Sequence, residues 1–328
     1  MARVLSGIQP SGMLHLGNYL GAVRHWVTSQ RSDDALFCVV DLHALTLEIE
    51  PDALRRYTWE TAASLLAIGI DPEQCTLFVQ SHVAEHTGLT WLLECTATLG
   101  ELRRMIQFKE KGAGQDSVRA SLLTYPVLMA SDILLYDTES VPVGDDQRQH
   151  IELTRDLAIR FNSRYGTTFV VPEAAIPTVG ARVMDLQAPT NKMSKSSSTP
   201  AGLITLGDAP EEIRKKIRRS VTDTEHGVAY DPEHRPGVAN LLEILAATTG
   251  QKPSDVAEQY DAYGPLKADA AEAIVEELRP IQERLASIDA DRTVVDDALR
   301  IGAEKARAIA EKTLERARSA IGLLSETL

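Results

Sequence analysis

Two short apolar runs, Ala35-Leu36-Phe37-Cys38-Val39-Val40 and Gln74-Cys75-Thr76-Leu77-Phe78-Val79-Gln80-Ser81, flank an amphipathic helical pattern from Pro51 to Ile70. A run that is apolar on both faces needs cover on both faces, which a parallel sheet with crossover helices supplies. Pro51 sits where a helix can begin, and Gly69 near where it can end. Arg3 to Ile8 reads as a first strand, and Ser140 to Gln147 as a strand leading into a helix from Arg148 to Asn162. This rhythm predicts βαβ units and a doubly wound parallel sheet. Beyond Pro200 the strand runs stop. The 328 residues therefore divide into an α/β domain at 1–199 and a helical domain at 200–328. The last helix carries Leu299, Ala303, Ala306, Ala310, Leu314, Ala317 and Ile321 in one small-residue seam, able to pack back onto the first domain.

Open α/β sheets bind ligands at the carboxyl ends of their strands, so the segments that follow the strands carry the interest. After the first strand comes Gln9-Pro10-Ser11-Gly12-Met13-Leu14-His15-Leu16-Gly17-Asn18, a glycine-bearing turn opening a helix. Free N–H groups and the positive dipole end suit a phosphate there; a turn with a capping Asn is the alternative. His15 and Asn18, three apart, are placed to face one anion, and Gly17 lets a ligand approach the backbone. Asp41-Leu42-His43 ends the second strand and makes His43 either a pocket residue or a hydrogen-bonded structural histidine. From Ser121 to Tyr136 the chain is apolar apart from Asp132, flanked by Met129, Ile133 and Leu134. A carboxylate there needs a donor, either a structural arginine or the N–H of a substrate. Gly144-Asp145-Asp146-Gln147 lies at a helix start, to cap it or to project into the cleft.

The stretch Asn191-Lys192-Met193-Ser194-Lys195-Ser196-Ser197-Ser198-Thr199-Pro200 follows a strand-like connector from Val179 to Leu186. Ser, Thr and Pro favour turns, and two long cations among hydroxyl donors are equipped to close over phosphates. The same composition also suits a solvated linker. From Glu211 to Arg219, Arg214, Lys215, Lys216, Arg218 and Arg219 either pair with Glu211 and Glu212 at i,i+4 or contact a phosphate backbone.

The balance of 47 acidic against 34 basic residues, net −13, argues against nonspecific nucleic-acid binding and DNA partners, though not against a local patch for a structured RNA. Cys38, Cys75 and Cys95 have no CxxC pair or metal spacing and lie in or beside apolar runs, which predicts buried, reduced thiols in a cytoplasmic protein. No signal-peptide pattern opens the sequence, and no run reaches the ~18 apolar residues of a membrane span. No protein-held metal is expected.

Pro10-Ser11-Gly12-x-x-His15-x-Gly17-Asn18 together with Lys192-Met193-Ser194-Lys195-Ser196 resembles the HIGH and KMSKS signatures of class I aminoacyl-tRNA synthetases, with Asn18 in place of the second histidine. Gly100-Glu101-Leu102, Gln107-Phe108-Lys109-Glu110-Lys111, Leu123-Thr124-Tyr125-Pro126, Ala130 to Tyr136, Val141 to Gln147 and Gln149 to Leu157 extend the likeness almost end to end, to the bacterial tryptophanyl-tRNA synthetases. Leu5, where an aromatic neighbour for the indole would be unsurprising, and Ser197-Ser198-Thr199 after the signature depart from that pattern.

The resemblance implies a Rossmann catalytic domain with a helical insertion at a homodimer interface, and a helical anticodon-reading domain. It implies that L-tryptophan attacks Mg-ATP to give tryptophanyl-adenylate and pyrophosphate, and is then passed to tRNA(Trp). By the same resemblance, Gln9, Pro10, Ser11, Gly17 and Asn18 serve ATP, with His15 beside the phosphates. Gly144, Asp145, Asp146 and Val183 hold ribose and adenine. Lys192 and Lys195, on the loop with Met193, Ser194 and Ser196, clamp the triphosphate with Lys111. Asp132 accepts the indole N–H, and Tyr125 and Gln147 orient the ammonium group. Gly7, Leu5, His43, Met129, Ile133, Val141 and Val143 shape the pocket. The rivals are a tyrosyl-tRNA synthetase, a small-molecule nucleotidyltransferase, and a synthetase-like regulator that binds tRNA or tryptophan.

Overall fold

The computed structural model describes residues 2–32, 34–112, 118–142, 144, 147–175, 181–195 and 198–324, with 110–112 followed along the backbone only. Among them, five strands form one sheet: β1 (Arg3–Ile8), β2 (Asp34–Val39), β3 (Thr76–Val79), β4 (Ser140–Pro142) and β5 (Glu173–Ala175). Their order is β3-β2-β1-β4-β5, and every pairing is parallel. The chain winds from β1 to one side through β2 and β3, then crosses back to β4 on the other. The carboxyl end of β1 is thus a topological switch point, where such sheets open a ligand crevice.

Alternation along β2 divides the core between the two faces. Phe37 and Val39 join the cluster that holds Leu65 of the helix Pro51–Ile68. Leu36 and Cys38 join the cluster built on Val127, Ile133 and Leu134 of the helix Ala120–Leu134 and Leu157 and Phe161 of the helix Arg148–Tyr165. Period-2 geometry sends successive side chains to opposite faces, so a strand apolar throughout is buried throughout.

The region beyond 200 is helical, with Pro210–Arg218, Pro236–Thr249 and Tyr263–Ala290 joined through Leu241, Leu242, Ile274 and Leu278 to the first of those clusters. The last helix, Thr293–Ile321, returns to the sheet and lies along β3. A Cβ at Gly302 would stand 1.7 Å from the Leu77 carbonyl oxygen, so glycine alone permits that approach. Ala306, Ala310 and Ala317 of the seam are buried beside it.

Four sequence expectations are corrected. From Thr87 to about Gln107 the sequence pattern reads as helical, but the structure breaks it into Glu85–Glu94, Leu99–Arg104 and Ile106–Gly112, because Thr98 and Glu101 form a reciprocal capping box that starts a new helix. The strand-like connector before the lysine loop, which the sequence pattern offers as the fifth strand, is not in the sheet; the fifth strand is Glu173–Ala175 at its edge. That connector instead pairs locally with the loop, through an antiparallel bridge between Met184 and Lys192. Cys95 is exposed, since it follows the helix Glu85–Glu94 off the face that buries Leu89 and Leu93; Cys38 and Cys75 are buried. On the basic helix the pairs fall at i,i+3, Glu211 with Arg214 and Glu212 with Lys215, while Lys216 turns inward to Asp208.

Candidate active site

The turn after β1 is fixed from both ends. The His15 Nδ1 accepts from the Asn18 N–H at 3.3 Å, and the Asn18 Oδ1 accepts from the His15 N–H at 3.2 Å. This reciprocal cap satisfies two donors at the helix start. Burial, then the nearby charges of Lys195 and Lys192, draw the His15 pKa down to about 4, so the ring is uncharged at neutral pH. With Nδ1 accepting, its proton rests on Nε2, which is left as a donor. A Cβ on Gly17 would come within 3.1 Å of the imidazole, so glycine keeps that ring in place. Gln9 and Ser11 are exposed, Pro10 and Gly17 buried, and Asn18 half-buried.

The lysine loop is held against this turn by backbone pairing. Leu16 donates to the Ile204 carbonyl, and Leu206 to the Leu14 carbonyl, both at 2.9 Å. Upstream, Asp185 donates to Asn191 and Met193 donates to Val183, which closes a hairpin. From the helix Pro236–Thr249, Asn240 clasps that hairpin: its Oδ1 accepts from the Met184 N–H at 2.8 Å and its Nδ2 donates to the Met184 carbonyl at 3.0 Å. Val183 and Met193 are buried as the apolar foot of the loop. Lys192 is exposed, and Ser194 and Lys195 half-buried. The Lys195 ammonium donates to the Ser11 carbonyl at 2.8 Å, so the loop already reaches the turn. Burial lowers its pKa to about 8, against an opposing pull from Glu60.

Deeper in the sheet, Asp132 is buried in the helix Ala120–Leu134. Its Oδ1 accepts from Gln80 Nε2 at 2.7 Å and pairs with His86 Nδ1 at 2.6 Å; its Oδ2 pairs with His43 Nε2 at 2.8 Å. Among the described residues, then, two histidines and a glutamine take the place of the arginine that sequence reasoning entertained. His43 proves to be both structural and adjacent to the predicted pocket. Burial by itself would raise the Asp132 pKa, but attraction to His43 and the bonds from His43 and His86 outweigh it and hold the carboxyl well below the usual range. Ionised, the group has about four lone-pair sites, of which the described residues use three.

Of the other residues predicted for the pocket, Leu5, Ile133 and Val141 are buried, whereas Tyr125, Met129 and Gln147 are half-buried and Gly7 is exposed. The Tyr125 hydroxyl bonds Gln107 Oε1 at 3.1 Å and His150 Nε2 at 2.8 Å, which fixes its ring. Gly144 is exposed. Val143, Asp145, Asp146 and Ser196, and the side chain of Lys111, lie outside the described residues. Sequence reasoning missed Gln80, His86 and Tyr136. Gln80 sits directly after β3, at a strand carboxyl end like His43, and that position was the available signal; His86 lies further on, in the helix Glu85–Glu94.

Comparison with known proteins gives one consistent result. The profile of the family described as tRNA synthetases class I (W and Y) matches residues 1–279. Tryptophan–tRNA ligase 1 of Streptomyces coelicolor is 59% identical over 329 aligned positions, covering 99% of this chain and 98% of that protein. The crystal structure of tryptophanyl-tRNA synthetase from Mycoplasma pneumoniae superposes with a TM-score of 0.91 at 38% identity, covering 99% of each chain. That from Campylobacter jejuni, complexed with ADP and tryptophan, gives a TM-score of 0.84 at 33% identity, covering 98% of this chain and 100% of the other.

Proposed function

The chain belongs to the class I tRNA synthetases of the tryptophan and tyrosine family, and from that premise we propose that it ligates L-tryptophan to tRNA(Trp). Tryptophan is favoured over tyrosine by the relative with 59% identity along essentially the whole chain. The tryptophan carboxylate attacks the α-phosphorus of ATP, breaking the bond to the β-phosphate and releasing pyrophosphate. The terminal adenosine hydroxyl of the tRNA then displaces AMP from the adenylate. No side chain need become covalently attached. The protein's task is to position the reactants and to offset charge on the departing pyrophosphate.

The observation that carries the substrate reading is Asp132, a buried carboxylate with three partners and one acceptor site over. That site takes the indole N–H. Tyr125 and Gln147 orient the ammonium group, and Gly7, Leu5, His43, Met129, Ile133, Val141 and Val143 line the pocket. Gln9, Pro10, Ser11, Gly17 and Asn18 receive ATP, and the uncharged His15 offers its Nε2–H to a phosphate oxygen. Lys195 exchanges the Ser11 carbonyl for the triphosphate, assisted by Lys192, Lys111, Met193, Ser194 and Ser196, and Gly144, Asp145, Asp146 and Val183 hold ribose and adenine. Among the described residues no group of three or more His, Cys, Asp or Glu is arranged to hold a metal. Mg²⁺ would enter with ATP as part of the substrate and would supply further charge neutralisation.

The division at 1–199 and 200–328 assigns the helical part to anticodon reading, with the last helix bracing β3. Exposed Trp91, Leu99, Ile106 and Ile159 suit a homodimer interface. Among the described residues no helix is long and apolar enough to cross a membrane, which suits a cytoplasmic protein. The test is aminoacylation of tRNA(Trp) with labelled tryptophan. Charging of that tRNA supports the proposal, and charging of tRNA(Tyr) with tyrosine in its place overturns it.

A further inference from the structure

The donors around Asp132 are themselves fixed at their far ends. Gln80 gives its Nε2–H to Asp132 Oδ1, while its Oε1 accepts from the Leu42 N–H at 3.1 Å, so the amide has a single orientation. His86 turns Nδ1 to the same Oδ1 and Nε2 to the Tyr136 hydroxyl, at 2.6 and 2.8 Å. Gln80, His86 and Tyr136 are all fully buried, at 0% exposure. A buried phenol proton needs an acceptor, and among the described residues His86 Nε2 is the partner of that hydroxyl. The lone pair of His86 therefore lies on Nε2 and its proton on Nδ1, aimed at Asp132. Ser131 Oγ donates to the His86 carbonyl at 2.7 Å and fixes the backbone that carries the ring. Oδ1 is thereby filled by two donors. Among the described residues Oδ2 takes one, from His43, which leaves one site.

We infer that Gln80, His86 and Tyr136 are positioning residues for indole recognition: they lock the Asp132 carboxylate with Oδ1 saturated and a single acceptor site on Oδ2. The inference rests on the reading of Asp132 as the indole acceptor. A ring N–H fills that site. A benzothiophene ring, with sulfur in place of N–H, leaves it unmet, and a site built for a hydrogen bond rejects such an isostere strongly. If His86 is removed, the carboxylate can turn, and the penalty on the isostere falls.

The experiment compares kcat/KM in ATP–pyrophosphate exchange for tryptophan and for β-(3-benzothienyl)alanine, with the full-length protein. The wild type should favour tryptophan by a large ratio. His86→Leu should lower that ratio by about tenfold or more, the worth of one bond to a charged group, with the KM for ATP little changed. His86→Asn places an amide N–H near the lost Nδ1–H and should restore most of the ratio. Tyr136→Phe, which leaves Nδ1–H unanchored, should lower it severalfold. A role confined to packing would slow both amino acids alike and leave the ratio intact, and a folded His86→Leu with the wild-type ratio overturns the inference. If His86→Leu loses its near-ultraviolet circular dichroism, Tyr136→Phe decides by the same criterion. A wild-type ratio near one would defeat the indole assignment itself. A large wild-type ratio unchanged in the variants would defeat only the positioning role.

Discussion

Asp132 and Lys195 are both half of a charge problem, and the fold treats them in opposite ways. Asp132 is buried and already has three donors, each on a packed element, so its charge is answered from within. Among the described residues Lys195 has one hydrogen-bond partner, a carbonyl, and burial pulls its pKa down to about 8. The difference teaches what each site can do for a ligand. A satisfied carboxylate can only discriminate, by accepting one more N–H. An under-satisfied ammonium gains whenever phosphate replaces a neutral carbonyl, so it can drive loop closure and favour charge that develops during reaction.

The contrast breaks most visibly at Asp132. Asp132→Ala should cost about 10⁴-fold in kcat/KM for tryptophan, with the KM for ATP little altered; exchange kinetics at varied tryptophan and ATP check both. An equal loss on both substrates would remove Asp132 from the pocket. Next, Lys195→Ala should slow adenylate formation by about 10² to 10³ while equilibrium dialysis finds tryptophan binding nearly intact. Asn240→Ala strips partners from the Met184 backbone at the foot of the loop and should destabilise the fold by about 1–3 kcal/mol, read as a lower midpoint in urea. The smallest effect concerns pH. Lys195 is charged below about pH 8 in the ligand-free protein, so ATP affinity should be full near pH 7 and weaken as pH rises through 8 to 9. Lys195→Arg should flatten that decline, because a guanidinium stays protonated throughout.

The same contrast explains what the sequence made legible. The sheet could be read because Ala35–Val39 of β2 and Leu77–Val79 of β3 are apolar on both faces, a pattern few other environments tolerate. The turn at His15 and the loop at Lys192 and Lys195 are contiguous stretches whose residue types announce phosphate chemistry. The cap that His15 and Asn18 share is written at i,i+3, and the capping Asn that the sequence offered as an alternative for this turn is present. The Asp132 cage could not be read. Its members at 43, 80, 86, 132 and 136 come from three separate segments and meet only in the folded protein. Gln80 and His86 each resemble ordinary polar residues near a strand end. The connector before the lysine loop was mistaken for a sheet strand, since an antiparallel hairpin and a parallel strand share the same local pattern.

The measurement that bears most directly on the account is amino-acid-dependent ATP–pyrophosphate exchange, with Mg²⁺ and each of the twenty amino acids in turn. Exchange with tryptophan and with no other is the predicted result, since it needs both the phosphate clamp and the single acceptor on Asp132. Exchange with tyrosine in its place would keep the clamp and contradict the pocket. No exchange with any amino acid would contradict both.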